Sequence, residues 1–354
     1  ATLRHYDKKN FIKDLLAGII IMAVSIPISM GYAQIAGLPA VYGLYGSVFP
    51  ILIFALSSTS PQFIFGVDAA PAALIGSALL SLHIESGSEE AMAVVPVLTF
   101  FVALWLLAFY IMKAGKLVNY ISAPVMGGFI TGICTTIILM QVPKLMGGSA
   151  GTGEFFELAE HIIKTAKDIN WQSVVLGLAA LVLLLVCKKL IPKFPMAVLL
   201  MIAGAGMTYL LPIEDWGVQT LASVDTGLPH WAVPDFSVIS IREAVTISLS
   251  VAVVIMAETL LAENNFAQKN GYRINDNQEI LAFSMGNFLA AFTGCCPING
   301  SVSRTAMGEQ YQAKTQLTGI IAGLSMIVVL VCATGFIGYL PVPVLTAIVI
   351  DRKS

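Results

Sequence analysis

The chain has 354 residues, of which 57% are hydrophobic and 11% charged, and its formal net charge is -2. With a mean hydropathy of +0.85, this composition excludes a soluble globular protein and predicts an all-α protein that crosses the membrane many times. No basic stripe is interleaved with aromatic residues, so we predict no nucleic-acid partner. The four histidines fall in predicted loops and the five cysteines lack ligand spacing, so neither a metal site nor a cofactor is predicted.

The first half of the chain predicts seven membrane spans. Arg4, Lys8, Lys9 and Lys13 precede the first apolar run and therefore predict a cytoplasmic N-terminus by the positive-inside rule. Pro27 lies inside that first span, where we expect a kink. The predicted spans are 15–36, 41–56, 62–82, 91–112, 123–142, 173–186 and 194–212, and 154–168 is an amphipathic segment expected at the membrane surface.

The third span is interrupted near its start. Residues 62–65 have strand-like character and meet Gly66, after which Asp68 occupies a helix N-cap position with Pro71 in the first turn. We interpret Asp68 primarily as a cap; direct contact with a ligand is the alternative. Because a carboxylate repels an anion unless backbone N–H groups neutralise it, the cap is compatible with an anion site beside it.

The second half repeats this organisation after a polar linker, 213–239. Its predicted spans are 245–267, 280–292, a half-helix that starts near Ser301, 317–334 and 341–350. We therefore predict a first inverted repeat over 1–212 and a second over 240–354. Two broken helices at corresponding places in two halves of a chain indicate a transporter's binding site.

The interruption in the second half lies between Cys295 and Ala306. Pro297 and Gly300 stop the preceding helix, whereas Ser301 and Ser303 are natural N-cap residues for the next one. A helix that begins inside a bilayer leaves N–H groups unpaired and has a partial positive charge at that end. Arg304 on the first turn adds a full positive charge, so we predict an anion-binding site; a short re-entrant turn without ligand is the alternative.

Two carboxylates lie in the eighth span. Glu258 is deep in the span, where a carboxylate is expected to face a cavity, a cation or a proton. We predict that it is an ion-coupling residue, with structural hydrogen bonding as the alternative. Glu263 is about a turn and a half nearer the inner end, and we expect it to reach the membrane interface.

The order of these motifs resembles the sulfate permease family, also called solute carrier family 26. The resemblance covers nearly the whole chain and rests on SIPISMGYAQIAGLPAVYGLYGSVFP, FGVDAAPAAL, AETLLAENNFAQKNGYRINDNQEILAFSMGN and PINGSVSRTAMGEQYQAKTQLTG. It implies two inverted seven-helix repeats forming a core domain and a gate domain, with the substrate site between the third and tenth half-helices. It also implies a homodimer, fourteen spans and a cytoplasmic STAS domain, so we expect the second repeat to be incomplete here.

Site residues follow from the resemblance position by position. Ser303 and Arg304 match the anion-binding start of the tenth helix, Glu258 matches the acidic position in the eighth, and Ala69 and Ala70 match the start of the third. The full predicted substrate site is Ile28, Tyr32, Asp68, Ala69, Ala70, Ser301, Val302, Ser303 and Arg304. Two positions depart from the family pattern, because Ile28 stands where many members have Gln and Val67 where bacterial relatives often have Pro.

We therefore predict a secondary transporter of a small anion of the sulfate, bicarbonate or dicarboxylate class, located in the plasma membrane. H⁺ or Na⁺ is the expected co-substrate, and alternating access is the expected mechanism. An anion channel or a voltage-responsive motor is the alternative within the family. An intramembrane enzyme is disfavoured because the predicted spans contain no histidine and no metalloprotease motif.

Overall fold

A computed structural model describes residues 10–116, 123–149, 155–191, 194–221, 227–332 and 334–353. Within these ranges the chain forms fourteen α-helices, a 3-10 helix at Thr334–Tyr339 and two short strands. The helices are α1 Phe11–Ile35, α2 Val41–Tyr45, α3 Phe49–Ser57, α4 Ala69–Ser81, α5 Glu89–Ile111, α6 Ala123–Leu145, α7 Phe155–Thr165, α8 Trp171–Leu190, α9 Met196–Leu210, α10 Ile241–Asn270, α11 Asp276–Phe292, α12 Val302–Gln310, α13 Leu317–Cys332 and α14 Val342–Lys353. The strands are β1 Phe65–Gly66 and β2 Asn299–Gly300.

Four of these helices, α1, α5, α8 and α10, are long and apolar enough to cross a membrane by length and composition. Shorter apolar helices accompany them, among them α4, α9 and α13. An all-helical polytopic membrane fold, as the sequence predicts, is therefore confirmed. The amphipathic segment also forms a helix, α7.

The chain folds into two compact units, each assembled from both halves of the sequence. The first consists of 1–130 and 229–327, and in it α11 packs against α3 and α5 while α10 packs against α4 and α5. The second consists of 131–228 and 328–354, and in it α14 packs against α8 and α9. All residues of the predicted substrate site belong to the first unit.

The second predicted span, 41–56, differs from the structure because two helices, α2 and α3, take its place. Pro50 lies in the first turn of α3. Since proline has no N–H and its ring collides with the carbonyl four residues earlier, a helix does not continue smoothly into it. By contrast, α1 continues through Pro27.

Local sequence explains where several other helices begin and end. Ser88, Asn170, Ser240 and Asn275 each accept a hydrogen bond from a backbone N–H in the first turn of α5, α8, α10 and α11, respectively. Gly271 ends α10 with a φ of 72°, a left-handed conformation that glycine adopts without steric cost.

The strand pair lies in a tightly packed part of the first unit. The rings of Phe54 and Phe283 both stack on Phe65, with centroids 4.7 and 5.5 Å from it. A Cβ atom at Gly300 would lie 2.2 Å from Cε1 of Phe63 and 2.5 Å from Cγ2 of Thr259. Glycine at this position therefore permits the close approach of β2 to its neighbours.

Replacing Gly300 with alanine is expected to destabilise the first unit. The added methyl group overpacks a dense region, which costs about 1–3 kcal/mol, so the unfolding midpoint in detergent falls. Gly206→Ala in α9 is the control, because nothing lies within 4 Å of a Cβ atom at Gly206 and alanine is the better helix former. Equal midpoints for the two variants would contradict the packing argument.

Candidate functional site

The two interrupted segments meet as an antiparallel strand pair. Phe65 pairs with Gly300 and Gly66 with Asn299. The pairing extends one residue further, because Ser301 donates its backbone N–H to the carbonyl of Ile64 at 2.8 Å. α4 begins at Ala69 and α12 at Val302, so both half-helices start within three residues of the strand pair.

The start of α4 is capped as the sequence predicts. Asp68 has extended backbone geometry and its Oδ1 accepts a hydrogen bond from the N–H of Ala69 at 2.7 Å. Ala69 and Ala70 are buried in this first turn. The cap places a carboxylate directly at the electropositive end of this helix.

The start of α12 differs from the prediction. Ser301 occupies the N-cap position, but its hydroxyl makes no cap hydrogen bond among the described residues and lies 3.4 Å from the hydroxyl of Ser303. Ser303 lies inside the helix, so neither serine caps it. Val302 is 45% exposed and Ser303 is half-buried. The first turn of α12 therefore has an accessible face and no side-chain cap from the described residues.

Arg304 is fully buried, and its surroundings change its predicted role. Its Nη2 donates to the carbonyl oxygen of Val67 at 2.6 Å and lies 3.8 Å from Oδ2 of Asp68. The carboxylate of Asp68 therefore compensates the guanidinium, whereas the sequence predicted that a bound anion would be its counter-ion. Its Nε and Nη1 atoms have no hydrogen-bond partner among the residues that the structure describes. Nε has one N–H and Nη1 has two, so three donors of the guanidinium have no acceptor among those residues.

The backbone at Gly66 gives the guanidinium its space. A Cβ atom there would lie 3.0 Å from Nη1 of Arg304, closer than side chains normally approach. The sequence suggested Gly66 only as a helix break. The carbonyl of Val67 as a partner of Arg304 was not predictable, because it depends on the register between the two strands.

The two residues of α1 in the predicted substrate site lie near the strand pair and Arg304. Ile28 and Tyr32 are both buried in α1, which packs against α4 and α12. Tyr32 lies near enough to Arg304 to interact with it electrostatically. Ile28 supplies an apolar side chain, so it offers no hydrogen bond where many family members have an amide.

Glu258 lies on the α10 side of the strand pair. It is half-buried, and its Oε2 accepts a hydrogen bond from Nδ2 of Asn299 at 2.9 Å. The next residue, Thr259, accepts the backbone N–H of Gly300 at 3.0 Å. α10 is therefore bound to β2 by two consecutive side chains. Asn299 is a residue that the sequence analysis did not single out.

Glu263 does not reach a membrane interface as expected. Its side chain is fully buried, and two acids of α11, Asp276 and Glu279, lie near enough to interact with it.

Two further buried carboxylates were also missed. Asp14 accepts hydrogen bonds from the N–H of Lys314 and the hydroxyl of Thr315, both at 2.7 Å. Glu279 accepts hydrogen bonds from the hydroxyl of Ser58 at 2.7 Å and the N–H of Thr59 at 2.5 Å. These contacts secure the loop after α12 and the loop before β1. Their only signal in the sequence is an acidic residue at the start of an apolar helix.

Fold and site together define a polytopic membrane protein in which two interrupted helices begin at one strand pair, with a buried arginine between them. The chain belongs to the sulfate permease family, whose model matches residues 11–352. It is 29% identical over 347 residues to the probable sulfate transporter MT1781 of Mycobacterium tuberculosis (strain CDC 1551 / Oshkosh), covering 98% of this chain and 62% of the relative. The chain thus spans less than two thirds of that relative's length.

Two solved structures have the same fold. SLC26A9 superposes with a TM-score of 0.90 at 23% identity, covering 99% of this chain and 58% of the other. The transmembrane domain of the cyanobacterial bicarbonate transporter BicA superposes with a TM-score of 0.84 at 19% identity, covering 98% of this chain and 89% of the other.

The Asp68–Arg304 pair is expected to contribute to stability as a unit. Asp68→Asn leaves a buried cation uncompensated, which costs about 3–5 kcal/mol, and Arg304→Gln leaves the carboxylate. The double variant removes both charges, so its loss is smaller than the sum by about 1–3 kcal/mol. Unfolding midpoints of the four proteins in detergent, converted to free energies, give this coupling.

A second cycle serves as the control. Glu309 also lies on α12 but pairs with Lys269 at 2.6 Å. Glu309→Gln combined with Arg304→Gln should be additive to within about 0.5 kcal/mol. Equal coupling in both cycles would show that the Asp68–Arg304 pair has no special role.

Proposed function

We propose that the protein is a secondary transporter of a small anion of the sulfate, bicarbonate or dicarboxylate class. The observation that carries this proposal is the strand pair from which α4 and α12 both begin. Each helix N-terminus has roughly half a positive charge, and the two lie close together on either side of the buried Arg304. Membership in the sulfate permease family supports the same activity.

The anion is proposed to bind at the accessible start of α12. Val302 and Ser303 supply backbone N–H groups there, Ser301 and Ser303 supply hydroxyls, and the unsatisfied N–H groups of Arg304 supply charge. Oxyanions and carboxylates are the ligands that such donors bind best. At α4, Asp68 already accepts the N–H of Ala69, so this helix contributes mainly through its dipole and through Ala70.

A charge count supports ion coupling at Glu258. Arg304 and Asp68 cancel, the two helix N-termini add roughly one positive charge, and an ionised Glu258 removes it. The site is then close to neutral before the anion arrives. Protonation of Glu258, or a Na⁺ ion beside it, restores the positive charge and favours the anion. We therefore propose Glu258 as the coupling group.

Transport is proposed to proceed by alternating access, with the unit formed by 1–130 and 229–327 moving as one body and carrying the site. Binding of the co-substrate at Glu258 reduces the net charge that moves with the anion, which lowers the cost of crossing an apolar environment. The plasma membrane location, the cytoplasmic N-terminus and the homodimer stay predictions.

Reconstitution in proteoliposomes tests the activity and the coupling together. Sulfate, bicarbonate and dicarboxylates are screened with imposed pH and Na⁺ gradients, and we expect saturable uptake that one gradient drives. Glu258→Gln should abolish the gradient dependence while the protein stays folded. Glu243→Gln, an exposed position near the start of α10, should behave as wild type. Unchanged coupling in Glu258→Gln would refute its role, and unitary currents would establish a channel instead.

Anion affinity tests the role of Arg304 separately. Because Arg304→Ala alone leaves Asp68 uncompensated, Asp68→Asn is compared with Asp68→Asn/Arg304→Ala by isothermal titration of the preferred anion. Losing a charge-assisted hydrogen bond costs about 1.5–3 kcal/mol, so we expect the dissociation constant to rise about tenfold or more. An equal dissociation constant for the two variants would remove Arg304 from the site.

A further inference from the structure

The carboxyl group of Glu263 has neither a hydrogen-bond donor nor a salt-bridge partner among the described residues. The side chain is fully buried, and neither oxygen accepts a hydrogen bond from any donor among the residues that the structure describes. None of the salt bridges within those residues includes Glu263. A buried carboxylate without donors or a counter-ion is among the most costly arrangements in a protein.

Another acid acts on Glu263 from α11. The carboxyl group of Glu279 lies close enough to that of Glu263 for the two to interact electrostatically. Two ionised carboxylates cannot form a hydrogen bond, because both are acceptors. One proton between them changes this, since a protonated carboxyl group donates to its ionised neighbour in a short, charge-assisted hydrogen bond.

The donors around Glu279 indicate which of the two acids holds the proton. Ser58 donates its hydroxyl to Glu279, and Thr59 donates both its hydroxyl and its backbone N–H. Three donors stabilise the ionised form of Glu279. Glu263 accepts none from the described residues, so we place the proton on Glu263.

Among the described residues, the charged groups that act on Glu263 are acids, and Arg273 in the loop after α10 is exposed. On α11, Asp276 adds a third negative charge nearby, and the loop after α10 contributes the phenol of Tyr272. Lys269 on α10 itself and Glu309 on α12 form a salt bridge with each other. The α4 sequence has no charged residue, and α5 has none between Glu90 and Lys113. The described residues of the segment before β1 that contact Glu279 are uncharged, because Ser58 donates its hydroxyl and Thr59 its hydroxyl and backbone N–H.

We propose that Glu263 and Glu279 form a proton-binding site in which Glu263 is the protonated member. This site is separate from Glu258, which lies about 7.5 Å away along α10 and contacts Asn299 instead. The proton links α10 to α11 and, through Glu279, to the segment that leads into β1. Loss of the proton places two like charges side by side and pushes α10 and α11 apart. The proton site does not depend on the proposed transport activity.

Infrared difference spectroscopy on the purified protein in detergent tests the proposal directly. A protonated carboxyl group has a carbonyl stretching band that an ionised one lacks. We expect a band of this kind near neutral pH in the wild type, its loss in Glu263→Gln and its retention in the control Glu243→Gln. An unchanged band in Glu263→Gln would overturn the proposal.

Folding of Glu263→Gln is itself informative. Glutamine matches the size of a protonated glutamate and donates a hydrogen bond to Glu279 in the same way, so the variant should reach the wild-type melting temperature near neutral pH. A variant that fails to fold would contradict the proposal, because glutamine can replace a neutral carboxyl group but cannot replace an ionised one.

The pH dependence of stability has a defined sign. A glutamate that holds its proton in the folded chain and releases it in the unfolded chain lowers stability as the pH rises from about 4.3, its unfolded pKa, to its pKa in the folded chain. We expect this decline in the wild type and in Glu243→Gln, and a flatter profile in Glu263→Gln. If the melting temperature of the wild type rises when NaCl replaces choline chloride and that of Glu263→Gln does not, the site binds Na⁺ and the proton assignment is wrong.

Discussion

The pairing of two short strands is the interaction on which the rest of the first unit depends. A helix interrupted inside an apolar environment exposes backbone N–H and carbonyl groups, and each unsatisfied group there costs several kcal/mol. Neither interrupted segment pairs all of its backbone N–H and carbonyl groups within itself, but the two segments pair these groups with each other. The bond from Ser301 to Ile64 extends the pair, and Thr305 and Thr259 accept the N–H groups of Ile64 and Gly300. Both half-helices must therefore begin at the same place.

The burial of Arg304 follows from this pairing. Once β1 lies beside β2, the carbonyl of Val67 and the carboxylate of Asp68 are next to the first turn of α12. Asp68 then has two functions, because one oxygen caps α4 and the other faces the guanidinium. Val67 and Asp68 thus compensate a charged arginine in a buried place, while its Nε and Nη1 atoms have no acceptor among the described residues. A site built this way favours an anion through directed hydrogen bonds as well as through net charge.

Sequence patterns predicted the interruptions and one of the two caps, because these depend on local chemistry. Gly66, Pro297 and Gly300 disfavour the continuation of a helix, and an aspartate before a run of alanines is a favourable N-cap. The absence of a side-chain cap at Ser301 was not predictable, since Ser301 donates its backbone N–H to Ile64 as part of the strand pair. The burial of Glu263 likewise depends on α11 and the loop before it. Tertiary neighbours decide such features, and a linear reading of α10 places Glu263 too close to the membrane surface.

The carboxylates of the first unit fall into two groups according to their donors. Asp14, Asp68 and Glu279 each accept a backbone N–H at a helix start or loop, so the fold binds each of these side chains to the main chain. The carboxylates on α10 differ, because Glu258 accepts from the neutral amide of Asn299 and Glu263 from none of the described donors. Hydrogen bonds from backbone N–H groups stabilise the ionised form of a carboxylate, so a carboxylate without them gains a proton more readily. α10 is therefore the element through which proton binding is expected to influence the strand pair, since Thr259 and Asn299 connect it directly to β2.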